Sequence, residues 1–173
     1  MSQKLKEKSL SPEAHAASSG SHTGKYSGDL SEFDERIRRA LHAAAEKKAL
    51  EPTLLDLRDI ATFTDFFVIT TGTNRRQVQA ISDEVVEQLK RAGTRAARVE
   101  GYQTGEWILI DYGDFIVHVF DEKARRFYDL ERLWREGKRT DISPDQLGSE
   151  IINLKTESSN QPEPDPPGPL TDL

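Results

Sequence analysis

Thr64-Asp65-Phe66-Phe67-Val68-Ile69-Thr70-Thr71-Gly72-Thr73-Asn74-Arg75-Arg76-Gln77-Val78 reads as a strand that runs into a helix. Phe66 to Thr71 is short, aromatic and β-branched, which suits a pleated, buried surface. Gly72 ends it, and Thr73 or Asn74 supplies a side-chain oxygen for the free N–H groups of a helix start. Val78, Ile81, Val85 and Leu89 then recur at three- and four-residue steps until Gly93, so one face of this helix is apolar. Upstream, the Ser31 to Asp34 spacing resembles a capping box, and Ile37, Leu41 and Ala44 predict an amphipathic helix over about 32–48. Thr53 to Leu57 predicts a strand after it. Downstream, Ala96 to Glu100, Glu106 to Asp111 and Phe115 to Phe120 predict three more, the last two joined by a Tyr112-Gly113 turn. The continuous run Trp107 to Ile110 predicts cover on both faces of the sheet. A helical turn after Asp121 leads to Phe127, Tyr128, Leu130, Leu133 and Trp134, which must pack back on the sheet or bind something. The order of elements predicts an α/β (α+β) fold, a mixed sheet of about five strands flanked by helices.

Composition sets the limits of that domain. The chain has 173 residues, a formal charge of −6 and no cysteine, which excludes disulfides, thiolate metal sites and a cysteine nucleophile. Residues 1–29 are rich in Ser, Ala, Gly and Lys with Tyr26 as their one aromatic, and predict a flexible tail. Residues 143–173 combine five prolines beyond position 160 with a net charge of −5, and predict an extended acidic tail after at most one helical turn near Ile151. Residues 30–142 hold 48 of the 61 apolar residues, the composition of a globular core. With no signal-peptide core and no apolar run near the ~20 residues that span a bilayer, the expected compartment is the cytoplasm.

Catalytic chemistry finds little support in these residues. His42 and His118 are the histidines of the folded segment, and neither accompanies a nucleophile elbow; His118 sits inside an apolar strand, where a histidine bonded within the sheet is the simpler reading. There is no P-loop, and the Gly72-Thr73-Asn74 turn could hold an anion with help from Arg75 and Arg76, although a cap is the commoner use of such a turn. Two-metal nucleotidyl transfer needs carboxylates converging from strands. Asp56, Asp65 and Asp111 stand singly, so no metal or cofactor is expected. Arg75-Arg76, Arg95, Arg98 and Arg125-Arg126 could form a basic stripe for RNA, but the 30–142 segment has a net charge of −2, which favours a solvated mixed surface. Trp107, the adjoining Tyr112 turn and the Tyr128 to Trp134 segment are residue types enriched at protein interfaces, or else core.

Thr64-Asp65-Phe66-Phe67-Val68-Ile69 followed by Thr71-Gly72-Thr73-Asn74-Arg75-Arg76-Gln77-Val78 resembles the opening signature of the bacterial ribosomal silencing factors, also called the iojap-like family. Glu100-Gly101, Trp107 to Asp114, Ile116-Val117-His118-Val119, Arg126-Phe127-Tyr128 and Leu130 to Trp134 continue it in family order, over about residues 33–136. The resemblance implies a translational regulator without enzymatic activity. Such proteins bind the large ribosomal subunit through ribosomal protein L fourteen, block joining of the small subunit when nutrients are scarce, and commonly form homodimers. It also implies a fold related to nucleotidyltransferases but without their catalytic carboxylates. Carried onto this chain, the partner-binding surface would comprise Trp107, Ile108, Asp111, Tyr112 and Asp114; the capped turn and the aromatic segment read above offer Asn74, Arg75, Arg76, Tyr128 and Trp134 as a second surface. A nucleotidyltransferase-like enzyme and an RNA-binding module are the alternatives.

Overall fold

The computed structural model describes residues 29–148; the 1–29 segment apart from Asp29, and the acidic segment beyond 148, lie outside the described residues. The first helix, α1 (Glu35–Glu46), begins at Asp34 and not at Ser31. The Asp34 carboxylate accepts the Arg36 backbone N–H at 2.8 Å and the Arg36 guanidinium at 2.9 Å, and the guanidinium holds Asp34 below the usual carboxylate range. Ser31 instead lies in a 3₁₀ turn, Leu30–Glu32, capped by Asp29. Aspartate caps as well as serine does, and only Asp34 has the arginine beside it.

Strand β1 (Leu50–Asp56) pairs antiparallel with β2 (Phe66–Gly72), and β2 pairs in parallel with β5 (Phe115–Asp121), with Ile69 opposite His118. A parallel pair needs a crossover. Here it runs through α2 (Arg75–Arg91), β3 (Arg98–Glu100) and β4 (Trp107–Asp111), the last antiparallel to β5. After β5 come two short helices, α3 (Glu122–Tyr128) and α4 (Leu130–Leu133), joined by Asp129 in the left-handed region at φ 43°. A sixth strand, β6 (Lys138–Asp141), pairs with β1. The mixed sheet therefore has six strands in the order β3-β4-β5-β2-β1-β6. Lys-Arg-Thr-Asp carries no apolar alternation, which is why β6 was not expected; only Thr140 of its four side chains is buried, and the ladder to β1 makes it a strand.

Helices α1 and α2 cover one face, burying Ile37, Leu41, Val78, Ile81, Val85 and Leu89 against Leu54, Val68, Ile108, Ile110, Val117 and Val119. Leu147, in a helical turn at 144–148, joins this core, so the packed unit reaches past the boundary expected at Ile142. On the other face Leu55, Phe67, Ile69, Ile116 and Phe120 meet Ala124 and Leu130. Eleven residues of short helix cannot roof six strands. Along β4, Ile108 and Ile110 are buried on the helix side while Trp107 and Leu109 stay half-exposed on the other. The cover expected on both faces of Trp107 to Ile110 exists on one.

The turn that opens α2 is capped by its own side chains. Asn74 Oδ1 accepts the Gln77 N–H at 3.0 Å, and Gln77 Oε1 accepts the Thr73 N–H at 2.7 Å and its hydroxyl at 2.8 Å. Gln77 Nε2 donates to the Lys47 and Lys48 carbonyls, 3.0 Å each, which ties α2 to the end of α1. The Gly72-Thr73-Asn74 turn thus serves as a cap, the commoner use of such a turn. Gln77→Ala is expected to cost about 1–2 kcal/mol, and urea unfolding would measure it.

Candidate functional site

The half-covered face gathers an aromatic chain. Phe63 packs on Trp134 (ring centroids 5.7 Å apart), Trp134 on Phe67 (5.8 Å), Phe67 on His118 (4.5 Å), His118 on Trp107 (5.8 Å), Trp107 on Tyr128 (4.7 Å), and Tyr128 on Phe127 (5.0 Å). Its centre is buried and its ends are not: Phe63 is 56% exposed, Phe127 79% and Tyr128 49%. Leu133, 70% exposed, continues the surface. Beside it Ile60, Phe127, Tyr128, Leu133 and Trp134 line an open groove of about 510 Å³, together with the charged Asp129, Arg132, Arg135 and Glu136. Isolated exposed leucines are ordinary, whereas a contiguous apolar patch of this kind marks an interaction surface.

The face brings together Trp107, Tyr128 and Trp134 of the expected site residues. Ile108 is excluded, because alternation turns it to the helix side where it is wholly buried. Asp111 shares the face of Trp107 but lies four residues along the strand, about 13 Å away. Its carboxylate accepts the Gly113 N–H at 2.8 Å and lies 3.4 Å from Arg98. Tyr112 packs towards the helices, stacked on Phe115 at 4.8 Å, and burial pushes its phenol up to about 12. Asp114 is ion-paired with Arg36. These acidic and aromatic groups hold the β4–β5 hairpin in place and do not extend the aromatic surface. Asn74 is a cap, Arg75 donates to the Gln103 carbonyl, and Arg76 is exposed on the first turn of α2.

Sequence reasoning missed Phe63, Leu109 and, above all, Arg125. Counted in the basic stripe, Arg125 is only 8% exposed. All five of its N–H bonds are used: Nε and Nη2 donate to Glu131 Oε1 (3.0 and 2.6 Å), Nη2 to Thr53 Oγ1 (3.1 Å), and Nη1 to the Glu51 carbonyl (2.7 Å) and Thr71 Oγ1 (2.8 Å). Glu51 lies at a β-bulge with φ 47°, so Arg125 ties the α3–α4 corner to an irregular point of β1. With Arg125 internal, Arg75 bonded to a carbonyl and Arg98 paired to Asp111 and Glu100, the basic stripe weighed for RNA is dispersed.

Among the described residues no helix is long and apolar enough to cross a membrane. Nor do three or more His, Asp or Glu side chains among them converge as a metal ion would require.

A ribosomal silencing factor of Halalkalibacterium halodurans is 37% identical over 108 residues, which cover 62% of this chain and 92% of that protein. The mouse mitochondrial assembly of ribosomal large subunit protein 1 is 32% identical over 75 residues, 42% of this chain and 33% of its own. A crystal structure from Chromobacterium violaceum superposes with a TM-score of 0.57 at 35% identity, covering 58% of this chain and 83% of that one. The family model described as ribosomal silencing factor during starvation matches residues 31–166, and the chain belongs to that family.

Proposed function

We propose that this protein represses translation under nutrient limitation by binding the large ribosomal subunit through ribosomal protein L fourteen and sterically blocking the small subunit. The observation that carries the reading is the half-covered sheet face, where the partly buried Trp107 and Leu109 lie between the more open Phe63, Tyr128, Phe127 and Leu133. Interface energy concentrates in a few aromatic anchors that become desolvated at the centre of a patch. Trp107 has that position, stacked on Phe120 at 5.0 Å so that its orientation is set before binding. Family membership supports a ribosomal partner, as does the name of the mouse relative. The protein acts in the cytoplasm by occupancy, without a cofactor or a metal, and pairing of two copies belongs to the same reading.

Sedimentation of purified subunits with and without the protein tests the proposal. The expected result is fewer joined ribosomes and the protein travelling with the large subunit; equal joining in both would overturn it. Trp107→Ala should weaken binding to isolated large subunits at least tenfold, about 1.4 kcal/mol or more, while the protein still melts cooperatively. Unchanged co-sedimentation would remove Trp107 from the site.

A further inference from the structure

His118 stands in the middle of β5 on the half-covered face, 3% exposed. Its Nδ1 accepts the indole N–H of Trp107 at 3.1 Å. A ring nitrogen that accepts carries no proton, so the proton of the neutral imidazole is on Nε2. Nε2 is buried and has no hydrogen-bond partner among the described residues. Burying a donor without a partner costs free energy that leucine or phenylalanine in the same place would not incur. Packing alone therefore does not explain a histidine here. What the imidazole adds is the bond to Trp107.

That bond is the third constraint on the indole. Phe120 stacks on the ring and Tyr128 packs against it at 4.7 Å, contacts that resist tilting but permit the ring to turn over about χ2. The N–H bond has one direction, so a turned ring loses it. We propose that His118 is a positioning residue for docking, which accepts the indole N–H and so locks Trp107 in the orientation that meets the large subunit. The inference rests on Trp107 being the docking anchor. A side chain fixed before association does not lose its rotamer freedom on binding.

The test uses the full chain in a Trp134→Phe background, so that Trp107 alone reports by fluorescence and near-ultraviolet circular dichroism, with affinity for isolated large subunits measured in parallel. His118→Phe keeps the aromatic bulk and removes the acceptor; it should change the Trp107 spectra and weaken binding about three- to tenfold. His118→Asn places a carbonyl oxygen near the Nδ1 position and should restore both. Trp107→Phe removes the donor from the other side, and its effect combined with His118→Phe should be less than the sum of the two. Wild-type affinity in His118→Phe despite altered spectra, or full additivity of the pair, would overturn the proposal. If Trp107→Ala itself binds normally, the docking reading fails instead. Should His118→Phe not fold, His118→Asn against Trp107→Phe decides: the proposal requires the first to bind normally and the second weakly.

Discussion

Replacing Arg125 by alanine is expected to destabilise the folded domain by about 3–5 kcal/mol, a large share of the roughly 5–15 kcal/mol that holds a typical domain folded. The Glu131 carboxylate, 10% exposed at its side chain, would lose the cation that justifies its burial. The Glu51 carbonyl and the two threonine hydroxyls would each lose a donor as well. Breaking one side of a buried pair costs more than the pair contributes, because the survivor stays charged in a low-dielectric site. Arg125→Met combined with Glu131→Leu should therefore recover much of the loss, and urea unfolding of the single and double variants would show it. A loss below about 1 kcal/mol in Arg125→Ala would mean that water reaches Glu131 freely. The effect should extend to binding, because the α3–α4 corner that Arg125 anchors carries Tyr128, Leu133 and Trp134.

Much of this was legible because local and global signals agree. The strand from Phe66, the capped turn and the apolar stripe of α2 are set by residues within one or two turns of each other, and the structure keeps all three. The motifs that resemble the silencing factors likewise lie on contiguous elements. What was not legible depends on partners far along the chain. β6 is a strand because β1 offers it a ladder, and nothing in Lys138 to Asp141 announces that. Arg125 looks like a surface cation beside Arg126; its burial follows from Glu131, Thr53, Thr71 and the bulge at Glu51 meeting around it. The same holds for the site. Trp107 and Ile108 are neighbours in sequence but point to opposite faces, so a motif read as one unit divides between the proposed docking surface and the core. Asp111 and Asp114, which the resemblance put on the partner-binding surface, are engaged by Arg98 and Arg36.

Acid should destabilise the protein well before its carboxylates are neutralised, and His118 should be the cause. Burial pushes its imidazole from an ordinary 6.5 down to about 3. No charge offsets that: β4 contributes Trp107 and Leu109 around it, β2 contributes Phe67 and Ile69, and Ile116 and Phe120 flank it on β5. The charged groups of this face lie at its edges, Asp111 with Arg98 and Arg125 with Glu131, and both pairs are internally compensated. The folded-state value is depressed for a base, so between about 6.5 and 3 the unfolded chain binds a proton that the native state refuses. Stability is fully present above the unfolded value and falls as pH drops, approaching about 1.4 kcal/mol per pH unit. From pH 7 to pH 5 the expected loss is about 2 kcal/mol. Asp34, Asp56 and Glu84, held below their usual range by Arg36, Arg58 and Gln88 with Lys47, lose their contributions only at lower pH, which leaves that window to His118. Denaturant midpoints measured at pH 7, 6 and 5 should fall in the wild type and fall less by the His118 share in His118→Phe. Parallel slopes in the two proteins would show that the His118 imidazole takes up a proton in the fold as readily as in the unfolded chain, and the Trp107 indole would then lose its acceptor as the pH falls.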